Sequence, residues 1–400
     1  MIRFLTAGES HGKSILTIVE GFPSNLELSA QYINHQLKRR QFGYGRGLRM
    51  KIESDEVEIL SGIRFGKTLG SPIALKINNR DWENWTDVMS NENVSNPPEK
   101  ISIPRPGHAD LTGTLKYNFD DIRNSIERSS ARETAARVAA GSIARKFLSE
   151  FGIFIGSFVE SIGGIYPKKN FYKELLTNKI KDNFNAELFL SKSDLSPVRV
   201  IDKEQENKIV SKIKQSKKRG DTLGGTFILV ASGVPLGLGS FMQYDRKLDA
   251  DIASFIMSIN AVKGVEIGIG FDSSEKFGSQ VHDEIILKKK SITRKTNYSG
   301  GIEGGISNGL PIIVRAAMKP IATLMKPLNS VDLKEMKSVK SIRERSDFVA
   351  VPTCAVIGES MLAWVLAKHF ISKFGGDSIE ETKSNFNNYV NYLSSRTKIQ

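Results

Sequence analysis

The hydrophobic positions fall into two patterns, short strand-like runs and longer stretches at helical spacing. Residues 2–6 and 15–19 are strand-like and flank the glycine-bracketed turn GESHG at 8–12. Ser29 is placed to cap a helix running through residue 37, with Ile33 and Leu37 on one face. The alternation in IESDEVEIL at 52–60 predicts an exposed strand, and 71–77 predicts another. Residues 78–98, with Trp82, Trp85 and an Asn/Ser/Pro tail, predict a long loop. PRPGHAD at 104–110 reads as a rigid turn feeding a central helix. That helix is predicted over RNSIERSSARETAARVAAG at 123–141, where small alanines allow close packing and Arg128 and Arg132 share a face. Residues 152–164, 226–232 and 311–317 predict strands, and 247–259 predict an amphipathic helix. The Lys-rich stretch 166–219 predicts surface helices, and 353–370 a final apolar helix. Beyond Gly375 the chain turns polar and predicts a frayed tail.

No fixed-period repeat, heptad or linker divides this pattern. The unusual segments run from residue 8 to residue 347, so a shared site makes residues 1–375 one large domain, with 376–400 as a flexible tail. A hydrophobic fraction of 40% with 25% charged residues describes a soluble chain with a sizeable core. The balance of 57 Lys plus Arg against 44 Asp plus Glu, +13, favours anionic partners without choosing among nucleic acid, lipid and phosphorylated metabolite. Cys354 is the only cysteine, which excludes an intrachain disulfide or a Cys-built metal cluster and suits a reducing cytoplasm. The apolar run at the N-terminus breaks at Gly8–Glu9, too soon for a signal peptide, and 361–366 is too short to span a membrane.

Candidate chemistry sits in the turns. His11 lies inside GESHG and His108 follows Arg105-Pro-Gly, so both rings are held where a proton can be exchanged near neutral pH. His35, His282 and His369 lack such a setting, and with no HExxH or Cys/His cluster no metal site is expected. KRRQFGYGRGLRMK at 38–51 alternates cations with glycines, letting backbone N–H groups and guanidinium forks approach an anion. The same segment interleaves Phe42 and Tyr44 with its charges, as a nucleic-acid patch would. GDTLGG and SGGIEGGISNG are glycine loops lacking the phosphate-loop lysine. Arg343, Arg345 and Asp347 combine forks with a carboxylate suited to act as a base or as an ion-pair partner.

Taken together these segments resemble the chorismate synthase family. The resemblance rests on GESHG at 8–12, ERSSARETAARVAAG at 127–141 and RSDFVAVP at 345–352, joined by GYGRGLRMKIES, RPGHADLTG, GVPLGLGS, SINAVKGVEIG and MKPIATL, and it covers residues 1–370 in order. It implies an α+β fold, a β-α-β sandwich with a helical core between antiparallel sheets. It also implies a carbon–oxygen lyase that converts 5-enolpyruvylshikimate 3-phosphate to chorismate and phosphate by anti-1,4-elimination, requiring reduced FMN without net redox change. By resemblance, His11 assists the departing phosphate, His108 protonates the reduced flavin and Asp347 removes the proton through the flavin. FMN contacts are implied for Arg128, Ser129, Ser130, Asn260, Ala261, Gly304, Lys319, Pro320, Ile321, Ala322, Thr323 and Arg345. Arg40, Arg46 and Arg49 match substrate and NADPH positions, with NADPH as the candidate reductant. A cytoplasmic homotetramer is implied, without nucleic-acid or membrane partners. The rival readings are a basic nucleic-acid-binding protein and a flavin-free lyase for a phosphorylated sugar acid. The substrate, at about −3.5 to −4 at neutral pH, would account for the basic balance.

Overall fold

The computed structural model describes residues 2–46, 54–177, 184–288, 291–342 and 347–397. Two four-stranded antiparallel sheets enclose a layer of helices. The first sheet holds β1 (Arg3–Ala7), β2 (Ser14–Glu20), β3 (Val57–Ile59) and β4 (Ile73–Asn78) in the order β1-β2-β4-β3. The second holds β5 (Phe154–Ile162), β6 (Gly225–Ser232), β7 (Val262–Ile267) and β8 (Ile312–Met318) in the order β5-β6-β8-β7. The helices are α1 (Ala30–Gln41), α2 (Asp110–Tyr117), α3 (Arg123–Ser129), α4 (Thr134–Ser149), α5 (Lys203–Arg219), α6 (Leu248–Met257), α7 (Val351–Phe374) and α8 (Ile379–Thr397). Helices α1, α4 and α7 form the middle layer: α4 packs on the first sheet, and α7 packs on β5 and β6.

The side-chain pattern explains the layering. In β2, Ile15, Thr17 and Val19 are buried while Leu16 and Ile18 face out, so this sheet has one covered face. In β6, Phe227 through Ala231 are all fully buried, because the second sheet is covered on both sides. The outer cover is a smaller cluster that joins Phe158, Ile228 and Val230 to Tyr172, Leu175 and Leu190. The stretch expected to lie on the surface therefore also lines a core. Close packing in the middle layer depends on small residues. A Cβ on Gly141 of α4 would lie 2.4 Å from the Ser360 Cβ of α7, so any larger residue would push the two helices apart.

Helix α7 starts two residues earlier and ends four later than the sequence predicts. It is long and apolar enough to cross a membrane, yet 83% of its most apolar window is buried inside this fold. One charge sits in its buried stretch. Glu359, 1% exposed, accepts from Arg39 (2.7 Å), Arg145 (2.5 Å) and Arg199 (3.2 Å). Burial opposes its ionisation, but the three guanidinium groups outweigh that and hold the carboxyl well below its usual range. The cluster ties α1, α4 and α7 together, since removing one partner would strand buried charge at a cost of about 3–5 kcal/mol.

Three further expectations change. The segment beyond Gly375 is not frayed: α8 follows, and Phe386 and Tyr389 pack on Phe374 of α7 (5.2 and 5.5 Å between ring centroids). Its apolar positions are few but lie at helical spacing, which overall polarity masked. Helix α1 passes residue 37 and takes Lys38, Arg39 and Arg40 into its last turn, where cations suit the helix dipole. The central helix is broken rather than continuous. Ser130 is extended (φ −63°, ψ 143°), a short 3₁₀ turn follows at Ala131–Glu133, and α4 begins at Thr134. Arg128 and Arg132 consequently do not share a face.

Candidate active site

A cavity of about 590 Å³ opens between the middle helices and the edge of the second sheet, within the size range of cofactor and small-molecule sites. Its wall gathers Arg40, Arg46, His108, Ser129, Ser130, Asn260, Ala261, Lys319, Ile321, Ala322 and Asp347, which the sequence distributes over more than three hundred positions. Met257, Ile259, Val262, Met318 and Ile357 supply an apolar side. Cys354 also lines it, with burial pushing its thiol up to about 12, so the sulfur is not a thiolate nucleophile at neutral pH.

The cationic wall is pre-ordered. The Arg40 guanidinium, in a residue only 4% exposed, donates to Thr134 Oγ1 (2.9 Å), the Ala131 carbonyl (3.0 Å) and Asp55 Oδ2 (3.2 Å). Burial pulls its pKa down to about 10 against the opposing charge of Asp55, so it stays positive at neutral pH. Arg132 pairs with the other oxygen of Asp55 and donates to Asn79 Oδ1 at 2.8 Å. Arg46 binds Asp347 (2.9 Å) and Thr353 Oγ1 (2.5 Å), while its Nε is buried with no hydrogen-bond partner among the described residues. An orphaned buried donor beside an apolar wall suits an entering anion attached to a flat, largely apolar body. The residues present therefore fit a flavin phosphate or an anionic substrate.

His108 stands at the end of the PRPGH turn, where Gly107 takes φ +79°. Its Nδ1 lies 2.5 Å from Asp110 Oδ1, and Arg105 grips the same carboxylate through Nε (2.7 Å) and Nη2 (3.0 Å). Burial opposes ionisation of Asp110, but His108 and Arg105 outweigh it and depress its pKa. Arg105 also donates to Thr323 Oγ1 (3.0 Å), and Lys319 Nζ donates to the Gly107 carbonyl (2.5 Å). The MKPIATL segment and the histidine turn are thus locked together.

His11 is built in the same way but lies off the cavity wall. Asn79 clamps its turn by donating to the carbonyls of Glu9 (3.2 Å) and Gly12 (2.6 Å). Gly8 is required there, because at φ +107° a Cβ would sit 2.3 Å from the Ser14 carbonyl oxygen. Ser10 adjoins the cavity through Ser130, whose hydroxyl donates to its own at 3.0 Å. The His11 Nδ1 lies 2.9 and 3.0 Å from the two oxygens of Glu127, and its ring stacks on Trp85 at 3.9 Å.

The remaining predicted residues divide. Asn260 donates to the Ser129 carbonyl (3.0 Å), and Ala261, at the strained φ of +67°, accepts from Lys319 N (2.9 Å). Pro320 is exposed between wall residues, and Thr323 is held just behind them by Arg105. Arg128 points elsewhere, donating to the carbonyls of Thr6 (3.0 Å) and Gly8 (3.2 Å). Gly304, at the tip of the hairpin formed by Ile302–Glu303 and Ile306–Ser307, is not on the wall. Arg49 and Arg345 lie outside the described residues. Sequence reasoning missed Asp55, Asn79, Asp110 and Glu127. Only Asp110, two residues after His108, had a local signal.

The cation-rich segment also reads differently as a nucleic-acid patch. Arg39 and Arg40 are drawn into the interior, and Tyr44 N bonds the Pro197 carbonyl at 2.7 Å. Only Phe42, 50% exposed, is presented as a stacking residue would be.

Comparison with known proteins places the chain in a family. The profile described as chorismate synthase matches residues 2–371. The chorismate synthase of Aquifex aeolicus (strain VF5) is 55% identical over 400 residues, covering 98% of each chain. That of Chloroherpeton thalassium (strain ATCC 35110 / GB-78) is 54% identical over 393 residues, covering 98% of this chain and 99% of its own. A crystal structure of chorismate synthase, 46% identical, superposes with a TM-score of 0.79 over 98% of both chains. With the family's profile, relatives and fold all matched along nearly its whole length, this chain belongs to the chorismate synthase family.

Proposed function

We propose that this protein converts 5-enolpyruvylshikimate 3-phosphate to chorismate and inorganic phosphate, with reduced FMN as its cofactor. The observation that carries the reading is the juxtaposition, in one cavity, of buried cations, an apolar wall, His108 and Asp347. In the elimination the allylic C–O bond to phosphate and a C–H bond across the ring both break, and a new double bond forms. Arg40, Arg46 and Lys319 hold the anionic groups, with Arg49 and Arg345 assigned the same task from the sequence. His11 gives a proton to the departing phosphate, and Asp347 takes the one released from the ring. His108 holds a proton at the cavity wall where the flavin ring would lie. Ser129, Ser130, Asn260, Ala261 and the 319–323 segment make the flavin site, with Arg345 assigned to it from the sequence; Arg128 and Gly304, off the cavity wall, are not assigned to it. The chemistry a reduced flavin supplies there is transient electron density that lets a weakly acidic C–H break without net redox change.

The setting is a cytoplasmic homotetramer. The uncovered apolar face of the first sheet, with Leu5 65%, Leu16 38% and Ile18 49% exposed, supports self-association. NADPH is the reductant the wall's arginines would accommodate. The test is anaerobic phosphate release from 5-enolpyruvylshikimate 3-phosphate with and without dithionite-reduced FMN. Release only with the reduced flavin is expected. Release without it would favour a flavin-free lyase, and none under either condition would remove the substrate.

A further inference from the structure

The GESHG turn delivers His11 to a second structure that its own sequence does not contain. Glu127, on α3 and 1% exposed, accepts from the His11 backbone N–H (2.8 Å) and places both carboxylate oxygens on Nδ1 (2.9 and 3.0 Å). Ser10 N donates to the Glu127 carbonyl at 3.1 Å, so backbone and side chain of one residue hold two consecutive residues of the turn. Arg123, one helical turn earlier, donates to Glu127 Oε1 (3.3 Å) and lies 5.1 Å over the Trp85 ring. Trp85 covers the imidazole face at an interplanar angle of 20° and is itself tied to Asp81 through Nε1 (3.1 Å).

Burial works against ionisation of Glu127, but the bonds from His11 and the charge of Arg123 outweigh it and leave its pKa lowered. An ionised carboxylate only accepts hydrogen bonds, so the atom facing it must carry the hydrogen. We propose that Glu127 is a positioning residue for His11: it fixes the hydrogen on Nδ1 and thereby assigns proton delivery to Nε2, while Trp85 fixes the plane of the ring. The proposal rests on His11 acting as proton donor to the departing phosphate. It adds a carboxylate 116 residues away whose loss should disturb catalysis rather than binding.

Glu127→Gln is nearly isosteric but carries an NH₂ that can pair with the wrong tautomer. In serine hydrolases the equivalent change behind a catalytic histidine costs about 10⁴ in kcat. His11 is partly open to solvent, so a loss of about 10²-fold is expected here, with KM for substrate within a few-fold of wild type. Glu127→Asp keeps an acceptor-only group and should recover at least about tenfold of that loss.

The deciding experiment is a double-mutant cycle on anaerobic phosphate release with His11→Ala, Glu127→Gln and the pair. The expected result is that Glu127→Gln adds no further loss once His11 is gone, because the two groups act as one unit. An equal fold-loss in both backgrounds, or a Glu127→Gln enzyme within threefold of wild-type kcat, would overturn the proposal while leaving His11 in its role. Wild-type turnover in His11→Ala would instead remove the role itself, and the proposal with it. If Glu127→Gln does not fold, the same cycle is run with Glu127→Ala, which removes the acceptor altogether, and is decided by the same criteria.

Discussion

Replacing His108 with alanine is expected to lower kcat for phosphate release by about 10²–10⁴-fold, the usual contribution of a positioned acid–base group. The structure gives reason to expect that the loss will be chemical. Without the imidazole, Asp110 still accepts from Arg105 at 2.7 and 3.0 Å, so no buried carboxylate is stranded. Arg105 in turn keeps Thr323, and Lys319 keeps the Gly107 carbonyl, so the 319–323 segment stays in place. Binding of oxidised FMN, followed by quenching of its fluorescence, should change by no more than a few-fold. A variant turning over within threefold of wild type would show that the ring serves only to satisfy Asp110.

The second large effect is expected at Asp347. Asp347→Asn keeps the size and one acceptor oxygen, so Arg46 retains a partner, but the group can no longer take up a proton at neutral pH. A fall in kcat of about 10²–10⁴-fold with nearly unchanged FMN affinity is expected, measured by anaerobic stopped-flow phosphate release. The alternative role is that of counter-ion. Asp347 lies 2.9 Å from Arg46, and a purely structural pair would show itself as a lowered melting temperature with residual turnover near wild type.

The comparison of sequence with structure turns on how local each signal is. The β6 run and the β2 alternation are written within a few residues, and both strands were legible. The break at Ser130 was not, because alanine-rich helix propensity continues straight across it. What stops the helix is tertiary: Arg132 is turned inward to Asp55 and Asn79, and Ser130 toward Ser10. Arg39 and Arg40 looked alike in a run of cations. Only the placement of Glu359 and Asp55 sends one into the core and the other to the cavity. The glycine and proline turns that hold His11 and His108 were legible. The carboxylates that orient them were harder to see, Glu127 above all, since a lone acidic residue carries no mark of a partner more than a hundred positions away. Polarity after Gly375 suggested fraying, yet Phe386 and Tyr389 are enough to dock α8 on Phe374.

The whole account depends on one cavity receiving both a flavin and a metabolite with three anionic groups. A crystal soaked with oxidised FMN and 5-enolpyruvylshikimate 3-phosphate tests that most directly. The account predicts both molecules in contact within the Arg40–His108–Asp347 cavity, with the substrate ring between the flavin and the arginines. Flavin bound elsewhere, such as the groove beside Tyr44 and Lys214, or the two molecules in separate cavities, would contradict it.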